Sequence, residues 1–264
     1  MKLQNLNSRT PGTRHQLNLS KNLLSKKNTI LKHLNFKVLE HSGRSSLTGH
    51  ITTRHKGGGC KKKFRKIKFN NFNTKSIILM ISYDPFRNSF ISLNFDFLSK
   101  VFFYSLAIQT TFPGTITICN KKNSELYFGY RSELNNFPIG VLVNNVSYSF
   151  LGNKLGVFGR SAGTFCQIVQ KVQNNIQIRL PSGKFVIIKQ SLFATFGRVS
   201  NSKFNLTVIG KAGRNRLKGI RPSVRGIAMN SVDHPHGGRT NGGRPSVSPW
   251  GKLTKGKPTV KKNE

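Results

Sequence analysis

The chain has 264 residues, of which 44 are Lys or Arg and 7 are Asp or Glu, so its formal net charge is +37. Such a one-sided charge repels itself in a compact fold and is tolerated where a polyanion supplies the counter-charge, which excludes an ordinary cytosolic enzyme and indicates a nucleic-acid partner. Hydrophobic residues make up 36% of the chain, enough for one or two small domains with a modest core.

Residues 1–34 are basic and show no clean periodicity, so they are predicted to form an extension. Strands are expected to follow. Residues 76–83 are of β type, residues 84–88 have the composition of a turn, and apolar and polar side chains alternate along residues 91–97. This pattern predicts a hairpin with one buried face.

A second cluster of β-type runs lies at residues 164–170, 176–180 and 185–188. Turns at residues 173–175 and 181–183 separate these runs, so they predict a three-stranded meander. Short strands broken by turns, without a helical period of useful length, favour small antiparallel barrels at this chain length. We therefore expect a mainly β protein with two small barrels and little helix.

The chain changes character after Gly210, where five of its ten prolines lie among frequent glycines. Large apolar side chains are few in this tail, so we expect it to lack a core of its own, to be disordered alone and to order on a partner.

Several other classes of structure are weighed against the sequence and not expected. Residues 101–120 carry no charge and could span a membrane in length, but polar side chains and a proline interrupt them. The three cysteines lie far apart and form no C-x-x-C pair, which argues against a disulfide framework. His50, His55 and Cys60 lack a fourth zinc ligand. Residues 251–257 imitate a P-loop, but proline follows where Ser or Thr would bind Mg²⁺. We expect no metal and no cofactor.

Basic residues are concentrated in two groups, and no acidic residue lies between Glu133 and Asp233. Side chains of both groups are predicted to contact phosphates, and the three glycines within the first would let backbone amides approach an anion. A solvated linker is the alternative for the first group. The first group runs from Arg54 to Lys68 and comprises Arg54, Lys56, Gly57, Gly58, Gly59, Lys61, Lys62, Lys63, Arg65, Lys66 and Lys68, and the second comprises Arg214, Arg216, Arg221 and Arg225.

The loop around His234 could suggest acid–base catalysis, because Asp233 precedes this histidine and His236 follows closely. However, the nearest other carboxylates in the sequence are Glu133 and Glu264, and two-metal nuclease chemistry needs several acids. We therefore expect no catalytic residue. The predicted roles are hydrogen bonding and stacking of the two histidines on RNA, with Asp233 orienting an imidazole.

Six segments, taken in order along the chain, together resemble the L-two family of large ribosomal subunit proteins. The segment of residues 221–238 is the most specific of them. They are Thr10-Pro-Gly-Thr-Arg-His15, Gly49-His-Ile-Thr-Thr-Arg-His-Lys-Gly-Gly-Gly59, Tyr83-Asp-Pro85, Gly159-Arg-Ser-Ala-Gly163, Gly210-Lys-Ala-Gly213 and Arg221-Pro-Ser-Val-Arg-Gly-Ile-Ala-Met-Asn-Ser-Val-Asp-His-Pro-His-Gly-Gly238.

The resemblance implies four segments: an N-terminal extension (1–34), an OB-like RNA-binding barrel (35–120), an SH3-like barrel (121–196) and a tail inserted into rRNA (197–264). It implies a structural role rather than an enzymatic one. The expected activities are binding of large-subunit rRNA, support of subunit assembly and association, and placement of a tail loop near the peptidyl transferase centre. The expected partners are rRNA, neighbouring ribosomal proteins and small-subunit contacts, with no small-molecule substrate.

Motif positions extend the set of candidate RNA-binding residues. Within the most specific motif, Ser231 stands in place of the family's usual proline, and Arg239 follows the motif where glycine is common. The additional candidates are His55, Arg160, Lys211, Asn230, Asp233, His234, His236, Arg239, Arg244, Trp250, Lys252 and Lys255.

The composition also bears on location. The chain is rich in Lys, Asn, Phe and Ile, which have A/T-rich codons, and nine residues precede Thr10, too few for an import signal. We therefore expect an organelle-encoded protein, of a mitochondrion ahead of a plastid. Two other functions stay open from the residues alone: an RNA-processing enzyme that uses the His234 loop, and a free-standing RNA-binding module such as a splicing cofactor.

Overall fold

A computed structural model describes residues 2–22, 24–25, 32–38, 42–69, 73–120, 126–149, 155–238 and 245–256. Over these residues the secondary structure consists of short strands, with two α-helices of four and six residues. The predicted mainly β class, with OB-like and SH3-like parts and little helix, is confirmed. Both helices are too short to cross a membrane.

The strands and helices are short and are separated by loops of very different lengths. The strands are β1 (Leu3–Asn5), β2 (Leu17–Leu19), β3 (Asn35–Lys37), β4 (Lys63–Arg65), β5 (Thr74–Ser82), β6 (Ile91–Asp96), β7 (Phe102–Leu106), β8 (Ile116–Cys119), β9 (Arg131–Glu133), β10 (Leu142–Asn144), β11 (Cys166–Val172), β12 (Asn175–Arg179), β13 (Phe185–Lys189) and β14 (Phe193–Phe196). The helices are α1 (Pro11–Arg14) and α2 (Ala212–Leu217), and 3₁₀ turns lie at Lys32–Leu34, Leu134–Asn136, Phe204–Leu206 and Gly226–Ala228.

Ten of these strands form one sheet, in the order β13-β12-β11-β10-β14-β9-β8-β5-β6-β7. Neighbouring strands in it are antiparallel except β8 and β9, which meet in parallel where Cys119 lies opposite Arg131. Two further pairs, β1 with β2 and β3 with β4, are antiparallel as well. The uncharged segment of residues 101–120 thus supplies strands β7 and β8 of the large sheet.

The predicted hairpin of β5 and β6 is confirmed, but the expectation of one buried face is wrong. Ser92 and Asn94 of β6 are as buried as the apolar Ile91 and Leu93 between which they alternate. Part of this polar face is satisfied inside the sheet, because the Ser105 hydroxyl lies 2.8 Å from the Ser92 hydroxyl and accepts a bond from the Asn94 amide nitrogen. The Asn94 Oδ1 has no hydrogen-bond partner among the described residues. Burial of a polar face costs little where such partners exist.

The predicted meander is β11, β12 and β13, which pair in that order. Its inward positions alternate along the strands, as in Ile176 and Ile178 of β12, which are fully buried. They pack in one cluster with Val143 of β10, with Ala194 of β14 and with Val146, which follows β10. This cluster is the core of the SH3-like part of the sheet.

The chain divides into two compact units, each assembled from two separate stretches. Unit 1 comprises residues 1–39 and 61–212, and unit 2 comprises residues 40–60 and 213–264. In unit 1, Leu17 of β2 bridges to Val208, so the first strands pair with a segment far along the chain. The domain boundaries expected from the family resemblance stay a prediction.

Candidate nucleic-acid interface

Unit 2 is held together by an antiparallel crossing of residues 55–60 with residues 217–222. The Gly57 amide donates to the Gly219 carbonyl, the Cys60 amide to the Leu217 carbonyl, and the Arg221 amide to the His55 carbonyl. Arg54 and Lys56 of the first basic group therefore lie in one unit with the second basic group, whereas residues 61–68 belong to unit 1. We call this pairing the crossing.

Glycines make the crossing possible, because its two backbones approach closely. A Cβ on Gly59 would fall 2.8 Å from the Gly219 nitrogen, and Gly59 has a φ of +106°. Only glycine fits such a conformation at such a distance. The Gly57 amide is bonded within the protein, and the expectation that backbone amides of this run approach an anion stays a prediction.

Helix α2 leads into the crossing and carries Arg214 and Arg216. It ends in a Schellman motif, in which the Ile220 amide donates to the Asn215 carbonyl and the Gly219 amide to the Arg216 carbonyl. Gly219 supplies the left-handed conformation that this motif needs, with a φ of +87°. The motif turns the chain from the helix straight into the crossing, and the Arg216 side chain is exposed.

Residues 226–238, which we call the His234 loop, close on themselves. The amides of Asp233 and His234 donate to the Asn230 carbonyl, and the Gly238 amide donates to the Met229 carbonyl. The His234 imidazole lies within this closure and is 8% exposed. This burial contradicts the expectation that the ring stacks on RNA, because so little exposed surface presents no face to a base.

The two histidines of the loop are coupled. The His236 amide donates to Nδ1 of His234 over 3.0 Å, and the ring centroids lie 4.7 Å apart. Burial lowers the pKa of His234 below its ordinary value, and the nearby His236 and Arg54 lower it further. Within the described residues Asp233 has no bond to either imidazole, so the expected orienting role is wrong and no acid–base pair is present.

His236 ties the loop to the next described segment. Its Nε2 lies 2.7 Å from the Pro245 carbonyl oxygen and 3.3 Å from the Val247 amide nitrogen. Residues 246–254 then form a small hairpin, in which the Ser248 amide donates to the Lys252 carbonyl and the Thr254 amide to the Ser246 carbonyl. We call it the Trp250 hairpin. Residues 251–254 of the P-loop-like segment belong to this hairpin, and Gly251 lies in the turn at its tip.

Arg54 and Trp250 meet in unit 2. The guanidinium carbon of Arg54 lies 5.5 Å from the centroid of the Trp250 ring. Both side chains are exposed, as are those of Lys252 and Lys255 along the same hairpin. An arginine on an indole face is a cation–π contact that stays available to a ligand.

The remaining candidates are spread over both units. In unit 1, Arg65 pairs with the buried Asp84 and donates to the Tyr83 carbonyl, so this predicted phosphate ligand is held inside the fold. The Arg160 guanidinium lies over the Phe69 ring, and the Lys211 stem covers Gly12. The other exposed or half-exposed candidates are Lys56, Lys61, Lys62, Lys63, Arg214, Arg221, Arg225 and Asn230. Arg239 and Arg244 lie outside the described residues.

Reasoning from the sequence missed Arg87, whose Nε lies 2.6 Å from the Asp84 carboxylate and whose guanidinium lies over Phe64. A signal was available, because Asp84 is one of only 7 acids in the chain and begins the turn that contains Arg87. It also missed the buried Arg131, for which no comparable signal exists. Within the described ranges, no group of histidine, cysteine or acidic side chains could hold a metal ion.

Two family models match the chain. The RNA-binding N-terminal domain of the ribosomal proteins L2 matches residues 31–119, and the C-terminal domain of the same proteins matches residues 128–251. The second match covers the SH3-like part of the sheet and residues 217–222 of the crossing. It also covers the His234 loop and most of the Trp250 hairpin.

Relatives of the chain are similar to it over almost their full length. The chain is 40% identical to the large ribosomal subunit protein uL2 of Dinoroseobacter shibae over 269 residues, which covers 100% of this chain and 94% of the relative. It is 41% identical to uL2 of Paracoccus denitrificans over 261 residues, or 97% and 91% of the two chains. It is 40% identical to uL2m of Reclinomonas americana over 261 residues, or 97% and 92%. The chain therefore belongs to the ribosomal protein L2 family, a family of structural RNA-binding proteins of the large ribosomal subunit and not of enzymes.

Proposed function

We propose that the protein is a structural constituent of the large subunit of a mitochondrial ribosome, where it binds large-subunit rRNA. In this proposal it supports assembly of the subunit and its association with the small subunit, beside neighbouring ribosomal proteins. The His234 loop lies near the peptidyl transferase centre. The similarity to uL2m of Reclinomonas americana and the A/T-biased composition support the mitochondrial location.

The crossing carries this proposal. It joins the two stretches of unit 2, whose sequence has 15 lysines and arginines against three acidic residues, and it pairs the segment of Lys56 with the segment of Arg221. A surface of one sign with fixed backbone geometry suits folded RNA, because guanidinium forks bind phosphates from a defined direction. The candidate residues Arg221 and Arg225 extend from the crossing into solvent.

Sedimentation of the tagged chain from gently lysed organelles tests the proposal. The chain should migrate with the large subunit, stay there through a high-salt wash and leave it after ribonuclease treatment. The double variant R221Q/R225Q should be retained less well, whereas K184Q/K189Q, which removes the same charge from exposed positions of the meander, should be retained like the wild type. Migration as a small free species would contradict the proposal.

The position of the loop is tested separately in assembled subunits. Val232 is 89% exposed within the His234 loop, so a cysteine there can carry a tethered iron chelate in a chain whose exposed Cys60 is replaced by serine. Hydroxyl radicals released at this position should cleave rRNA of the peptidyl transferase region. Cleavage confined to distant rRNA would contradict this part of the proposal.

A further inference from the structure

The only tryptophan of the chain, Trp250, is 73% exposed. It stands at the tip of the Trp250 hairpin, where Gly251 has a φ of +76° and its amide donates to the Ser248 carbonyl. The hydroxyls of Ser246 and Thr254, 2.8 Å apart, close the base of the hairpin. A lone exposed aromatic is ordinary on a protein surface, so its surroundings decide what it does.

Arg54 is the first part of these surroundings. Its guanidinium lies over the indole, and the next residue is fixed by the crossing, since His55 Nδ1 lies 3.1 Å from the Pro222 carbonyl oxygen and the His55 carbonyl accepts from Arg221. Arg54 therefore reaches the indole from a defined backbone position. The charge of Arg54 also acts on the His234 imidazole, which places the indole and the His234 loop within reach of one cation.

The chemistry of this pair favours a nucleobase over an apolar protein segment. Every base has a π face that stacks on an indole, and a guanidinium on the same indole adds cation–π attraction while it draws in the phosphate. The charge of unit 2 repels a basic partner and attracts a polyanion. Inside a duplex both faces of a base are covered by its neighbours, so the ligand must be an unpaired base.

We propose that Trp250 and Arg54 form a stacking site for one unpaired base of RNA. The inference rests on the proposed function and specifies which feature of the RNA this part of unit 2 contacts. It differs from the phosphate contacts of the crossing, because stacking depends on an open base face and little on charge.

The chain supplies its own probe, since all tryptophan fluorescence comes from Trp250. Titration of the full chain with single-stranded hexaadenylate should quench this emission strongly. A stable, fully paired RNA duplex, compared at equal phosphate concentration, should bind through charge and change the emission little. Equal quenching by both RNAs would overturn the proposal, because it would show proximity to phosphate and no stacking.

Variants measure the contribution to affinity through the anisotropy of fluorophore-labelled hexaadenylate. Trp250→Ala should weaken binding by roughly 5- to 150-fold, the range expected for loss of one base–aromatic stack. Trp250→Phe should restore most of the affinity, which separates stacking from a folding defect. Arg54→Lys keeps the charge but lacks the planar guanidinium, so it should weaken hexaadenylate binding more than duplex binding.

The matched control is Phe185→Ala. Phe185 is an aromatic of comparable exposure, 56%, on β13 of unit 1, and its loss should leave hexaadenylate binding unchanged. Equal affinities of Trp250→Ala and the wild type would overturn the stacking site, and the same would follow if Phe185→Ala lost as much. Either result would leave the proposed function standing as long as the wild-type chain still sediments with the large subunit.

Discussion

The His234 imidazole lies directly over the α-carbon of Gly226, so that a Cβ on residue 226 would fall 2.6 Å from Nδ1 and 2.8 Å from Cγ of His234. The contact between Gly226 and His234, eight positions apart in sequence, therefore determines how closely the imidazole packs against the backbone of the His234 loop. The imidazole fills the space that a side chain at position 226 would take. Its Nδ1 also accepts a hydrogen bond from the His236 amide.

Gly226→Ala should displace the imidazole and reproduce the defect of His234→Ala, with a cost to the folded loop of about 1–3 kcal/mol from overpacking. Incorporation of each tagged variant into large subunits, measured on a density gradient, should fall in parallel. Gly213→Ala is the control, because a Cβ there meets nothing within 4 Å. Normal incorporation of Gly226→Ala would show that the contact between these residues is dispensable.

The stability of the His234 loop should depend on pH in a defined direction. The pKa of His234 is lowered by burial and by its cationic and imidazole neighbours, so the unfolded loop binds a proton more readily than the folded loop. The contribution of His234 to stability is complete above the ordinary histidine pKa of about 6.5 and falls as the pH drops below that value. Amide hydrogen exchange of residues 226–238, corrected for intrinsic rates, should show this loss of protection. In His234→Gln the dependence should be much weaker, and protection that increased with acidity would contradict the sign.

Substitutions in the glycine run should separate backbone conformation from backbone contact. Gly58 has a φ of +65° and open space at the Cβ position, so Gly58→Ala should cost about 1 kcal/mol. Gly59→Ala adds the contact with the Gly219 backbone at 2.8 Å and should cost about 1–3 kcal/mol more. Limited proteolysis of unit 2, quantified for both variants, measures the difference. The crossing would not need glycine at position 59 if both variants resisted protease equally.

Asp84 is a buried acid that holds two arginines. Its side chain is 0% exposed, with Arg87 at 2.6 Å and Arg65 at 3.8 Å. Asp84→Asn leaves both cations without their counter-charge and should destabilise unit 1 by about 3 kcal/mol in thermal unfolding. Glu133→Gln makes the same chemical change at a half-buried residue that forms no ion pair among the described residues, and it should change stability little. Similar unfolding temperatures for the two variants would contradict this assignment.

The three cysteines should react very differently with a thiol reagent. Burial raises the pKa of Cys119 to about 11 and that of Cys166 to about 12, whereas Cys60 is exposed. At a mildly alkaline pH the native protein should therefore be alkylated once, at Cys60, and the denatured protein three times. Mass spectrometry after digestion identifies the modified residues. Rapid native labelling of Cys166 would show that the core of the SH3-like part opens easily.

Local patterns gave much of the fold. The alternation in β12 and the turns on either side of it suffice to predict the meander, because hairpin pairing is decided within about 20 residues. The buried polar face of β6 was beyond such reasoning. The alternation of apolar and polar side chains along β6 shows only that its two faces differ in polarity. Whether Ser92 faces water or another hydroxyl depends on Ser105 of the neighbouring strand.

The sequence predicted which types of residue form the candidate interface. It did not predict which distant segments pair to bring these residues together. Composition and motif resemblance identified the basic groups and the histidines, but His55 and Pro222 are 167 residues apart in sequence, and no local pattern specifies that they pair. The burial of His234 depends on Gly226 and on the backbone turn between them. The resemblance therefore singled out His234 as a functional residue but did not show that its side chain is buried within the loop.

The crossing has a consequence for the synthesis of the chain. Its first strand leaves the translating ribosome more than 150 residues before its second, so a nascent chain released at residue 212 carries the Arg54 segment without the strand on which that segment closes. Contacts of such long sequence separation form late in folding. The crossing is thus present only in molecules whose translation has passed residue 222.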